Sequence, residues 1–135
     1  MNHKMEQDLK IKEYNYWTLE HVGHPIPVVG WLILRLKRDG EGLASINKEE
    51  SKEFGEITEK LPKVIQEVTG AVNVYLCSFN EAVPKLHFHF IPRYAEEKRR
   101  TIEFFILQKE VKEGRVSSAD DKEVSLIIEK LKNKL

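Results

Sequence analysis

From Lys85 to Phe90, between Pro84 and Pro92, the chain alternates without a break, with Leu86, Phe88 and Phe90 at even positions and Lys85, His87 and His89 at odd ones. Successive side chains of a β-strand point to opposite faces, so the stretch "LHFHFIPR" predicts a strand with one apolar and one polar face. The apolar face has to be covered by other elements of the chain. The polar row then lies on the side left open, and few arrangements other than a half-covered antiparallel sheet satisfy both demands.

The remaining segments supply that sheet and its cover. "YNYWTLE" is rich in aromatics and Thr and reads as a strand. "HVGHPIPVVG" is a connector punctuated by Gly23, Pro25 and Pro27. "WLILRLK" is a second strand, with Trp31, Ile33 and Arg35 on one face and Leu32, Leu34 and Leu36 on the other. Asn47 with Glu50 three residues on matches a capping box. Phe54, Ile57, Leu61, Val64, Ile65 and Val68 then form one stripe of a long helix, expected to kink at Pro62 and to end at Gly70. "VNVYLCSF" is a third strand, the histidine stretch a fourth, and "TIEFFIL" a fifth. Ser118-x-x-Asp121 is expected to cap a C-terminal helix with a stripe of Val124, Ile127, Ile128, Leu131 and Leu135. Residues 1–12 are charged and expected to be loosely held. The order predicts an α+β fold: an antiparallel sheet of about five strands, one long helix and a C-terminal helix.

At 135 residues the chain is sized for a single domain, 1–135. Lys+Arg and Asp+Glu stand at 22 each, so the balance argues against a broad basic footprint, and no specific nucleic-acid partner is expected. One cysteine, Cys77, excludes an internal disulfide framework and suits a reducing cytosol. The first residues lack the apolar segment of a signal peptide, and no apolar run approaches the roughly 20 residues that span a bilayer. The expected location is the cytoplasm, with no membrane partner.

Three readings compete for the polar row. Two strand histidines with ordinary hydrogen bonds would be the plainest. A metal site is the second, since two imidazoles on one face can chelate. Its further ligands are thin, however: Glu96 lies beyond Pro92, the cation of Lys85 opposes a dication, and His21 and His24 contribute only if the fold brings their loop alongside. Phosphate chemistry is the third. A neutral imidazole can attack phosphorus, while a second histidine and a cation neutralise the phosphate oxygens. On that reading Lys85 also disfavours protonation of His87. It accounts for Lys85, His87 and His89 together and is preferred.

At this point the stretch resembles the signature of the histidine triad superfamily, His-φ-His-φ-His-φ-φ with φ apolar, often followed by Pro-Arg. It is most similar to a bacterial subgroup whose motif reads roughly V-P-H-L-H-F-H-x-I-P-R. "PVVGWLILRLKRD" looks like the family's Gly-His strand, "INKEESKEFGEI" like the start of its long helix, and "VNVYLCSFN" like the strand before the triad, so the likeness runs over about residues 14 to 94. The resemblance implies a small α+β fold, usually a homodimer, that hydrolyses or transfers nucleoside monophosphates from dinucleoside polyphosphates, nucleotide phosphoramidates and related conjugates. It implies that His87 is the nucleophile toward the α-phosphorus and that His89 donates to the phosphate. The chain departs from the family in four places. Lys85 stands at the first triad position, and Trp31 where a histidine follows the glycine. Gly23 lies near the place of a ribose-holding asparagine. The loop before the triad is shortened to "SFNEA", in which Ser78 and Asn80 are the candidates to reach the leaving group.

The expected function is therefore a nucleotidyl hydrolase or transferase working through a nucleotidyl-histidine intermediate. Catalysis is assigned to His87, His89 and Lys85, and substrate contacts to Trp31, Arg35, Ser78 and Asn80. No metal site or cofactor is required, and a magnesium-bound substrate is compatible. Arg35 could meet a phosphate, though a solvated arginine is its simpler fate. Trp31 could stack on a base, though core packing is the more usual fate of a tryptophan. The alternatives are a nucleotide-binding protein that has lost turnover, motivated by the departures, and a metal-binding module.

Overall fold

The computed structural model describes residues 7–135; the expectation for residues 1–6 lies outside the described residues. Five antiparallel strands form one sheet: β1 (Lys10–Glu13), β2 (Trp17–His21), β3 (Leu32–Leu36), β4 (Asn73–Cys77) and β5 (His87–Arg93), in the spatial order β1-β2-β3-β5-β4. Among the described residues three α-helices accompany it, α1 (Lys48–Thr69), α2 (Glu103–Lys112) and α3 (Asp121–Lys134), with a short 3-10 turn at Leu43–Ser45. The α+β expectation, with a long helix and a C-terminal helix around an antiparallel sheet, holds.

Register explains which face does what. Leu19, Leu34 and Phe88 lie opposite one another across β2, β3 and β5, and so do His21, Leu32 and Phe90. Their row is continuous with the buried stripes Ile57, Leu61, Val64 and Ile65 of α1 and Val124, Ile128 and Leu131 of α3. The opposite face carries Ile33 beside His89 and Arg35 beside His87. Turning that polar row away from the main core leaves it available for chemistry.

The α1 helix begins as its sequence predicts. Asn47 Oδ1 accepts from the Glu50 N–H at 2.9 Å, and the Glu50 carboxylate accepts from the Asn47 N–H at 3.0 Å. Gly70 closes the helix in the left-handed region, φ 74°, where a side chain would be strained. The helix runs uninterrupted through Pro62. The apolar stripe on both sides of the proline is packed into the core and holds the two halves together.

Three expectations need correction. "TIEFFIL" is the turn and first half of α2, not a strand. Phe104, Leu107 and Val111 are buried at three-and-four spacing, a helical period that its β-favouring composition masked. The cap of α3 is Asp120, whose Oδ1 accepts from the Lys122 N–H. Ser118 instead accepts from the Ile26 N–H at 2.8 Å and ties down the connector before β3. Residues 10–12, expected to be loose, belong to β1, because Ile11 is buried and the strand pairs with β2.

Candidate active site

Above the polar face lies a cleft of about 450 Å³, lined among others by Arg35 of β3, Asn80, His87 and His89, and Phe105 and Lys112 of α2. Its back wall follows from the β3–β5 register. Its roof follows from α2, which sets Phe105 edge-on to His89 with ring centroids 5.0 Å apart.

His87 is held from behind by the backbone. Its Nδ1 lies 2.7 Å from the carbonyl oxygen of Lys85, and a carbonyl can only accept. The ring proton is therefore on Nδ1, and Nε2 keeps its lone pair. The main chain of His87 is gripped as well. Its N–H donates to Asn80 Oδ1 at 3.1 Å, and its carbonyl accepts from the Ser78 hydroxyl. The Asn80 amide in turn donates to Ser78 Oγ at 2.8 Å. Asn80 adopts φ 56°, a left-handed conformation that asparagine tolerates and that turns its side chain back onto β5.

His89 sits 5.2 Å from His87 between ring centroids. The indole Nε1–H of Trp31 donates to His89 Nδ1 at 3.0 Å. Burial, then the neighbouring His87 and then Arg35 push the basicity of His89 down, to a pKa of about 4. Arg35 lines the cleft while its Nε donates to Glu20 at 2.6 Å.

The residues singled out from sequence thus fall into two groups. His87, His89, Arg35 and Asn80 come together around the cleft, and Ser78 lies behind His87. The Lys85 ammonium does not join them: it lies 3.5 Å from the Lys37 carbonyl and 3.8 Å from Asp39, and only its backbone carbonyl serves the site. Trp31 is fully buried and offers no face on which a base could stack. Ser78 and Asn80 spend their polar atoms on the His87 backbone and on each other. Of the two histidines expected in the connector, His24 lines the cleft, whereas His21 ends β2 and is buried, donating to the Val22 carbonyl and accepting from the Gly30 N–H at 2.8 Å. Among the described residues no group of three or more His, Cys, Asp or Glu is placed to hold a metal ion.

Sequence reasoning missed the α2 contribution, Phe105, Gln108 and Lys112, because it read that segment as a strand. A window extended to Val111 would have exposed the helical period.

No family model and no curated protein matches this sequence. Solved structures do. A histidine triad protein from Sinorhizobium meliloti superposes with a TM-score of 0.73 at 17% identity, over 95% of this chain and 90% of that one. A histidine triad protein from Bradyrhizobium japonicum gives 0.72 at 18%, over 94% and 90%. A hypothetical histidine triad nucleotide-binding protein from Sulfolobus tokodaii gives 0.69 at 11%, over 96% and 84%. The superpositions cover 94–96% of this chain, more than the stretch of about residues 14 to 94 over which its sequence resembles the family signature.

Proposed function

We propose that this chain, which has the fold of the histidine triad proteins, is a cytoplasmic nucleotidyl hydrolase or transferase acting at the α-phosphate of nucleoside phosphate conjugates or dinucleoside polyphosphates. The observation that carries this reading is the 2.7 Å contact from His87 Nδ1 to the Lys85 carbonyl, which leaves Nε2 as a bare nucleophile beside a second imidazole. The Sulfolobus tokodaii protein of the same fold is itself named a hypothetical histidine triad nucleotide-binding protein, which supports a nucleotide as the ligand.

In mechanism, the Nε2 lone pair forms the N–P bond while the bond from phosphorus to the leaving group breaks, its electron pair departing with that group. The Lys85 carbonyl stabilises the positive charge that appears on the His87 ring. His89 and Arg35 hold the phosphate oxygens, where a positioned donor commonly contributes about a hundredfold or more. Water then cleaves the N–P bond, releasing the nucleoside monophosphate and a proton and returning neutral His87. This route needs no resident metal or cofactor to create the nucleophile, and a magnesium-bound substrate is compatible with it. The reading includes a homodimer: β4 is an edge strand, with Leu76 and the adjacent Val72 exposed along it.

A second reading, nucleotide binding without turnover, is favoured by one observation: the Lys85 ammonium is turned toward Asp39 and away from the cleft. Intact-protein mass spectrometry after mixing with adenosine 5′-phosphoramidate, with AMP release assayed in parallel, separates the two. An adduct of one nucleotidyl group, or AMP production, that disappears in His87→Ala is the expected result. Nucleotide binding with neither adduct nor AMP would sink the enzyme reading. Sedimentation of the same sample tests the dimer, which a single-chain mass would refute.

A further inference from the structure

We propose that Trp31 is a positioning residue that locks His89 in its Nε2–H tautomer, so that the second histidine of the site acts as a fixed hydrogen-bond donor and not as a proton carrier. The catalytic consequence rests on the nucleotidyl-transfer reading; the tautomer itself does not.

An indole nitrogen has a hydrogen to give and no lone pair to offer. With Trp31 Nε1 3.0 Å from His89 Nδ1, that ring nitrogen must be the acceptor, and the single proton of a neutral imidazole falls on Nε2. A proton added to Nδ1 would point at the indole N–H, so His89 could be charged only by displacing the indole.

The indole is poorly placed to move. Trp31 is fully buried and packs edge-on against Phe105, with centroids 5.4 Å apart, and against His89 at 5.7 Å. Its carbonyl accepts from the Val22 N–H at 2.7 Å, and its own N–H donates to the Val28 carbonyl. The preceding residue, Gly30, has φ 90°, and a Cβ there would come within 3.1–3.3 Å of Thr69, Pro92 and Tyr94. The backbone that feeds Trp31 into the core is therefore confined as well.

The groups that meet His89 directly add no negative charge, and the two carboxylates nearby, Glu20 and Glu81, stand on other elements. On its own strand His89 meets His87; from β3 it faces Arg35, and from β4 it is paired with Cys77. Phe105, Gln108 and Lys112 of α2, His24 of the connector and Glu81 of the loop before β5 line the same cleft, and the carboxylate of Glu20 is engaged with Arg35. The low basicity of His89 is the consistent outcome.

The two histidines of "HFH" thus take opposite tautomers for opposite reasons. A carbonyl acceptor behind His87 bares its Nε2, while an indole donor behind His89 protonates its Nε2. What stands behind each ring divides nucleophile from donor.

The test is a long-range ¹H–¹⁵N correlation experiment on histidine-labelled wild-type protein from pH 8 to pH 5. His89 should show an unprotonated Nδ1 and a protonated Nε2 throughout, with the reverse pattern at neutral His87. A His89 that carries its proton on Nδ1, or that becomes imidazolium anywhere above pH 5, overturns the proposal without any variant. Trp31→Phe, which keeps a ring and removes the donor, should then give a tautomer mixture at His89 that titrates within this range. It should also lower kcat for AMP release from adenosine 5′-phosphoramidate by about tenfold or more, with KM little changed. An unaltered His89 pattern in the variant removes Trp31 from the role. If neither protein releases AMP, the nucleotidyl reading fails while the spectra still decide the tautomer.

Discussion

At the scale of single residues, His87 and Lys85 show how little of a side chain's role its identity reveals. The alternation of "KLHFHF" places His87 and His89 on one face, and both do line the cleft. Lys85 belongs to the same alternation, yet it precedes the first residue of β5, and its ammonium reaches toward Asp39. What it gives the site is a carbonyl, which every residue type has. Lys85→Ala is accordingly expected to stay within about threefold of wild-type AMP release, since an exposed lysine pair contributes little. A loss as deep as that of His87→Ala would return the ammonium to the reaction. Ser78 and Asn80 make the same point in reverse. Their side chains do serve the site, but by gripping the His87 backbone. Their path back onto β5 depends on the positive φ of Asn80, which composition does not reveal.

Among the elements, α1 was the most legible, because its signals are local. A capping box, a three-and-four stripe and a left-handed glycine all lie within the segment they define. Removing the cap with Asn47→Ala should cost about 1 kcal/mol, or about 3 °C in Tm. A thermal melt that does not move would show that the buried Glu50, held by Arg38 at 2.6 and 2.8 Å, fixes the helix start by itself. The α2 helix is illegible locally for the opposite reason. Thr, Ile and two Phe in succession favour a strand, but burial of Phe104, Leu107 and Val111 decides for a helix, and burial is a property of the assembled molecule. The difference matters for function, because α2 roofs the cleft.

For the whole molecule, the connector before β3 is sealed by a buried histidine, and this couples stability to pH. His21 and His89 are both held at a pKa of about 4, below the ordinary 6.5, and burial is the leading cause in each. The unfolded chain takes up protons near 6.5 that the folded chain refuses until about 4, so stability is complete above that window and is lost as the pH falls through it. His21 alone should contribute on the order of 3 kcal/mol of loss by pH 4. Denaturant unfolding at pH 7, 5.5 and 4.5 should show the midpoint falling, and His21→Gln should flatten the trend. An equal pH dependence in the variant would contradict this account. The sequence by itself determined the sheet-forming alternation, the long capped helix and the pair of histidines on one face, because each depends on spacings of two to four residues. Tertiary structure alone decided that α2 closes the cleft, that Lys85 contributes its carbonyl, and that an indole stands behind His89. Those outcomes depend on groups brought together from across the chain, Trp31 and His89 being 58 positions apart, and no local period encodes such a meeting.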